Sequence, residues 1–363
     1  LFQQFEKKPF PNPTGVHRVF SNCWKSIVSL FPPPPMRPHL LFFASLIALS
    51  ACMSPAGDSK KKPPLQGAYL GQNLPGDTAV LFAPGLVSGP WAERDMAISP
   101  QGDELFYTLA SPRGRLQVII RVKRAGDTWL APEVAPFSGR YPDLEPAFSP
   151  NGDRLYFASK RPPDGQGPAK DWDIWYVQRE DNGWSPAQNA GAPVNTDQDE
   201  FFPSIAANGS LYFTATREGG KGREDLYRST WNGDSYDAPE NLGDSINTAS
   251  YEFNAFVAPD ESYLIFSSFG RPDDLGGGDL YISRRRQDGQ WAAARNLGPA
   301  INSPALDYCP FVSHDGVYFF FSSERSPEPT TDAPRSYAQI LDWLNGPENG
   351  NGDVYWVKFD AIR

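Results

Sequence analysis

A phrase of ten residues recurs through most of this chain and limits what it can become. Phe148-Ser149-Pro150-Asn151-Gly152-Asp153-Arg154-Leu155-Tyr156-Phe157 reads as a short strand, a tight turn and a second strand. Pro sets φ where an early turn position needs it, and Asn-Gly tolerates φ above zero. Aligned on Phe148, the equivalent residues are Ile98, Ile205, Val257 and Val312, at spacings of 50, 57, 52 and 55. A period of that size builds a set of like units, each leaning on its neighbours.

Every unit carries the same grammar. After the hairpin and a variable loop, a third strand opens on Asp: Asp173-Ile174-Trp175-Tyr176, Asp225-Leu226-Tyr227, Asp279-Leu280-Tyr281 and Asp353-Val354-Tyr355-Trp356. In the first unit Gln117-Val118-Ile119-Ile120 takes that place without the Asp. A fourth segment follows, marked by Trp129, Trp184, Tyr236 and Trp291, which fall at unit spacing and read as core or turn packing. It runs into tails such as Leu242-Gly243-Asp244-Ser245-Ile246-Asn247 and Leu297-Gly298-Pro299-Ala300-Ile301-Asn302. Four antiparallel strands at such a period make a propeller blade.

Five first-to-third-strand sets follow residue 92, but only four fourth segments. Residues 80–89 resemble the fourth segment at 133–139, so the N-terminal strand is expected to complete the C-terminal blade. The predicted fold is therefore all-β, a five-bladed propeller of four-stranded antiparallel blades spanning 68–363. Closing the ring removes exposed strand edges.

The Ser-Pro-Asn-Gly-Asp-x-Leu-Tyr-Phe phrase, the Asp-Leu-Tyr or Asp-Ile-Trp third strand and the Asp199-Glu200-Phe201-Phe202-Pro203-Ser204 approach resemble the TolB-like, WD-repeat-like repeats of bacterial envelope proteins. The resemblance covers 93–363. It implies a propeller in the envelope and transfers no catalytic residue, because that family mixes docking, glycan-associated and enzymatic members.

The start of the chain reads differently. Residues 1–35 end in a proline run and are expected to be an upstream extension, with Met36 the initiator. Arg37, the apolar stretch 40–49 and Leu49-Ser50-Ala51-Cys52 form a signal segment for 36–52, too short to span a bilayer as a mature helix. Leu49-Ser50-Ala51-Cys52 resembles the lipobox of bacterial lipoproteins, which implies lipidation at Cys52. Residues 53–67, with lysines at 60–62 followed by Pro63-Pro64, read as a tether. The resulting expectation is a lipid-anchored envelope protein that meets the membrane through its anchor.

Composition excludes several functions. The formal net charge is −10, and the first 52 residues hold five of the bases against one acid, Glu6, so the rest is more acidic still. Such a surface repels phosphate backbones, and nucleic acid is not an expected partner. Cys23, Cys52 and Cys309 make neither a disulfide framework nor a metal site, and Cys309 reads as a buried apolar thiol. Of His17, His39 and His314 only the last lies in the repeats. No Gly-x-Ser-x-Gly elbow or phosphate loop occurs, and Gly276-Gly277-Gly278-Asp279 and Asn349-Gly350-Asn351-Gly352-Asp353 lack the ligand alternation of a calcium loop. No cofactor and no metal is expected.

Two charges repeat with the units. An acid precedes each first strand (Glu93, Asp143, Glu200, Glu252, Asp307), and an arginine follows each second strand (Arg113, Arg161, Arg217, Arg271, Arg325). Either these groups pair with each other or with the third-strand aspartates to fasten neighbouring blades, or they form a ligand-binding ring. The symmetry breaks at the loop 162–170, beside Trp172 and Trp175, and at an insert, 326–352, in the last unit. The insert holds Tyr337-Ala338-Gln339-Ile340-Leu341-Asp342-Trp343-Leu344, with helical spacing. It either covers the channel or docks a partner, with Trp343 a candidate contact, or packs Ile340, Leu341 and Leu344 onto the rim.

The function these features favour is a non-enzymatic module that binds an envelope protein or a cell-wall glycan, without a catalytic residue. One alternative is a glycan-active hydrolase using two of the five approach acids. The other is an architectural spacer.

Overall fold

The computed structural model describes residues 65–327 and 334–363. Cys52, the signal segment, residues 1–35, most of the tether and positions 328–333 of the insert lie outside the described residues.

Five antiparallel sheets succeed one another along the chain. Blade I is Ala92–Ile98, Glu104–Ala110 and Gln117–Ala125, edged by Thr128–Trp129 and Glu133–Val134. Blade II is Asp143–Phe148, Arg154–Ser159 and Asp173–Glu180, edged by Gly183–Trp184 and Gln188–Asn189. Blade III comprises Glu200–Ile205, Leu211–Ala215, Asp225–Ser229 and Glu240–Asn241. Blade IV comprises Tyr251–Val257, Tyr263–Phe269, Asp279–Arg284 and Arg295–Asn296. In blade V, Asp307–Val312, Tyr318–Ser323 and Asp353–Lys358 are completed by Val80–Leu81, with Val80 opposite Trp356 and Leu81 opposite Tyr355. The expected closure by the N-terminal strand is present, with its regular pairing confined to those two residues. The first strands pack on one another in sequence, and that of blade V returns to that of blade I. This is a five-bladed propeller.

The hairpin phrase works as its residues dictate. In blade II the Gly152 N–H donates to Ser149 O at 2.8 Å with Gly152 at φ +77°, a conformation open to glycine. Blade IV makes the same turn with Glu261 at φ +58°, and that carboxylate joins the ion pairs of the neighbouring seam.

The core is distributed over five seams. Phe106, Ile119, Phe148, Phe157 and Trp175 join blades I and II, and Tyr156, Ile205, Phe213 and Tyr227 join II and III. Tyr212, Val257, Phe266 and Tyr281 join III and IV, and Ile282, Val312, Phe319 and Tyr355 join IV and V. Phe82, Phe320, Trp356, Leu105 and Tyr107 close V onto I. Each fully buried side chain of this size stabilises the ring by about 1.5–3 kcal/mol. The tail asparagines add a polar lock: Asn195, Asn247 and Asn302 each both accept from and donate to the backbone of a third strand (Ile174, Leu226, Leu280). Ser88 does this for Val354 in blade V.

The described end of the stretch read as a tether is tied to the ring. Gln66 bridges to Thr128, and the Trp129 indole N–H donates to Gly67 O at 2.7 Å. Leu70 is fully buried in the V–I seam.

Candidate functional site

The start of each first strand, the end of the second and the start of the third lie at one end of a blade, since Asp143 pairs with Ser159 and Ser159 with Asp173. All five approach acids therefore gather at one face of the ring, here called the acid end. Each is buried.

Four of the acids meet the arginine expected for them. Arg161 reaches Asp143 at 2.7 Å, Arg217 reaches Glu200 at 3.3 Å, Arg271 reaches Glu252 at 3.1 Å and Arg325 reaches Asp307 at 2.6 Å. The same guanidinium groups donate to carbonyls of the preceding blade's tail: Phe137, Val194, Ile246 and Ile301. Each guanidinium also lies over the aromatic ring of the third strand, at 5.3 Å for Trp175, 5.5 Å for Tyr227, 4.8 Å for Tyr281 and 4.8 Å for Tyr355. The Asp-x-Trp/Tyr motif thus supplies half of a cradle for arginine. A Ser or Thr hydroxyl beside each carboxylate supplies further donors.

Blade I departs from this pattern. Arg113 is exposed on a turn at φ +64° and makes no ion pair among the described residues. Leu109 stands opposite Glu93 where Ser159, Ser268 and Ser323 stand in blades II, IV and V, and Ile120 replaces the aromatic ring. The cradle is missing, so the arginine has nothing to enter. Glu93 receives the Gly89 N–H at 3.0 Å instead. Burial, with Asp353 nearby, pushes its carboxyl up to about 8.

Pairing between the arginines and the third-strand aspartates does not occur. Asp173, Asp225 and Asp279 receive the side-chain amides of Asn189, Asn241 and Asn296 at 2.9, 3.0 and 2.7 Å. The backbone N–H of Glu200, Glu252, Asp307 and Glu93 donates to the residue before a third strand: Trp172, Glu224, Gly278 and Gly352. The acid–arginine pairs of blades II to V therefore fasten each of those blades to the one before it.

Two residues beyond each acid, all five first strands bulge. Asp95, Glu145, Phe202, Asn254 and Cys309 sit at φ between +47° and +62°, where the ladder register slips. Such backbone costs about 1 kcal/mol or more per residue. It turns these side chains toward the ring axis, where four are polar. Arg94 binds Asp95 at 2.8 Å and Glu145 at 2.9 Å, donates to Cys309 Sγ at 3.3 Å and stacks on Tyr308 at 4.9 Å. Asn254 donates to Glu145 at 3.3 Å, and the Phe202 N–H donates to the other Glu145 oxygen at 2.7 Å. Burial pushes Glu145 up to about 7 against the pull of Arg94.

Cys309 is buried as expected, packed with Phe202, Phe253 and Tyr308, and the bulge also brings its sulfur to Arg94 and Asn254. The sequence reading passed over this cluster. Its signal is Glu145-Pro146, Phe202-Pro203 and Cys309-Pro310: a proline inside an inner strand cannot donate to the ladder and marks a bulge.

The insert does not pack down. Helix Tyr337–Leu344 is held by a capping box at Ser336 and has no buried residue. Ile340, Leu341 and Leu344 are 39%, 37% and 47% exposed, which decides against packing of that side onto the rim. Its base is anchored, with Asn349 and Asn351 donating to Pro90 O at 3.1 and 3.0 Å. Trp91 follows, half exposed, and Trp343 lies under Arg335 at 5.7 Å.

Among the described residues no group of His, Cys, Asp and Glu is placed to hold a metal ion, and no helix is long and apolar enough to cross a membrane.

No protein-family model matches the chain, and no curated protein matches it. Among solved structures it is similar to TolB from Acinetobacter baumannii, at 13% identity and TM-score 0.43 over 74% of this chain and 57% of that one. The chain thus spans little more than half of TolB's length. It is also similar to the alpha-L-arabinofuranosidase from Lactobacillus brevis, at 14% identity and TM-score 0.44 over 74% and 91% of the two chains. For the arabinofuranosidase from Podospora anserina solved with cellotriose the values are 14%, 0.44, 79% and 98%. At these identities the likeness concerns the fold alone, which the strand pairing establishes independently.

Proposed function

We propose that this propeller is a non-enzymatic binding module that docks a partner protein at its acid end, through the helix of blade V. The observation that carries the proposal is a capped helix whose Ile340, Leu341 and Leu344 all face solvent. Aliphatic side chains at helical spacing fit an apolar groove on a protein, whereas sugars stack on aromatic faces. The proposed setting is the bacterial cell envelope, with Cys52 lipidated and residues 53–64 spanning from the anchor to the ring.

The fold accommodates a glycan hydrolase as well. Yet the acids on which that reading drew are occupied: four by arginine, and Glu93 by a backbone N–H.

A photo-crosslinking side chain at Leu341 tests the docking reading, with Val317 on the opposite face as control. In envelope preparations, position 341 should give one discrete polypeptide adduct that excess unmodified protein competes away, and position 317 none. Equal labelling from both positions, or none from 341, sinks the docking proposal. An adduct on saccharide moves the ligand class to glycan.

A further inference from the structure

On the opposite face, where the hairpins turn, a cavity of about 440 Å³ opens between blades II and III. It lies apart from the docking face described above, and its chemistry follows from what the neighbouring seams contain.

At the I–II seam, Glu104 receives Arg179 at 2.6 Å. At the III–IV seam, Glu261 receives Arg228 and Arg285, both at 2.8 Å. At the II–III seam the charged residue is Arg154, which stands where Glu104 stands in blade I, each accepting the turn serine's N–H at its carbonyl. Among the described residues Arg154 makes no ion pair. Its guanidinium lies 5.1 Å from the Tyr176 ring and 5.8 Å from the Trp231 ring, and one N–H donates to Tyr156 OH at 3.3 Å. Two aromatic rings thus hold the cation in a fixed plane, leaving donors of its fork to the cavity.

The remaining wall is also orderly. Trp231 packs edge to face on Tyr236 at 5.0 Å, and a Cβ added to Gly209 would meet the Trp231 side chain at 3.1 Å, so the indole has its place set from beneath. Tyr156 and Tyr236 hydroxyls meet at 3.2 Å in the floor. Ser149 and Asn151 border the mouth, with Asp153, whose carboxylate accepts from the Ser149 hydroxyl at 2.9 Å.

We infer that this cavity is a binding site for a sugar acid. The indole supplies a flat apolar platform for a pyranose ring, Arg154 supplies a two-pronged partner for the ring's carboxylate, and the mouth offers hydrogen-bonding groups to hydroxyls. Its volume lies within the range that small-molecule sites occupy, about 300–1,000 Å³. The site is independent of the docking proposal.

Titration of the whole protein with glucuronate, followed by tryptophan fluorescence and calorimetry, tests it, with glucose and acetate as the two halves of the ligand. Glucuronate should bind saturably and more tightly than either. Arg154→Gln should weaken glucuronate by about tenfold or more, the loss of one charge-assisted hydrogen bond, with Arg154→Lys restoring part of it. Trp231→Leu should weaken glucuronate and glucose alike. Coincident thermal unfolding of wild type and variants ties these losses to the site rather than the fold. The inference is overturned if glucuronate fails to saturate below about 10 mM, if Arg154→Gln binds as wild type does, or if acetate matches glucuronate. Crosslinking from Leu341 should be unaffected by Arg154→Gln, so each proposal can fail alone.

Discussion

Glu93 is the residue at which the fivefold pattern is broken, and its chemistry records the break. Its four counterparts face an arginine; it faces a backbone N–H and a second buried acid. Its carboxyl is raised to about 8 from an ordinary 4.5. Between those values the folded state keeps a proton that the unfolded chain has released, so the contribution of Glu93 to stability falls as pH rises from about 5 to about 8. Glu93→Gln retains an acceptor for Gly89 and removes the titration. Urea unfolding across that range should show the wild type losing more stability than the variant, by at least the ~1.4 kcal/mol that one pKa unit carries. Glu145, raised to about 7, titrates in each protein and cancels in the difference, whereas Asp353, whose charge acts on Glu93, is part of the difference measured. Parallel pH profiles would dismiss the idea. The acids and arginines themselves were legible in sequence because they recur at blade spacing. That Arg113 would stay out was not, since it depends on Leu109 and Ile120 failing to form a cradle across two strands.

At the scale of the element, the helix of blade V shows where a sequence pattern stops. The spacing of Ile340, Leu341 and Leu344 foretold a helix with one apolar side; it carried no information on what that side meets. The capping box is what fixes the helix locally: the Ser336 hydroxyl accepts from the Gln339 N–H at 3.3 Å, and the Gln339 side chain accepts from the Ser336 N–H at 2.8 Å. With no buried side chain to hold it, the helix depends on that cap. Ser336→Ala should lower its local stability by about 1 kcal/mol. Hydrogen exchange of the helix amides should quicken several-fold while the midpoint of global unfolding stays unchanged. Unaltered exchange would mean that the anchored base, through Asn349 and Asn351, holds the helix alone. The first-strand bulges were hidden for the opposite reason. Alternation along Asp143–Phe148 reads as an ordinary strand, and the proline is the single mark that it is not.

For the whole molecule, blade count and closure followed from arithmetic on the repeats, because an incomplete set at one end matched a spare strand at the other. Closure is made by little regular pairing. Val80–Leu81 contributes two residues of ladder, while Phe82 and Val87 bury their side chains and Ser88 locks Val354. A chain beginning at residue 90 should therefore lose several kcal/mol through burial alone. It should also expose the edge of Asp353–Lys358 and associate. A chain beginning at residue 65 should remain monomeric and unfold cooperatively. Light scattering and thermal unfolding of the pair would decide the point, and identical behaviour would show that the ring holds without its clasp.

The route of the chain before that clasp has a mechanical consequence. Residues 65–67 are bonded to the outer edge of blade I, Tyr69 packs on Tyr318 and Trp356 in blade V, and Lys358 donates to Gly76 O at 3.0 Å. A pull arriving from upstream loads those contacts in order before it reaches Val80–Leu81. The segment serves as a strain relief, peeling first from blade I while the seam remains shut. Tension on the chain should therefore release residues 65–67 before it opens the ring.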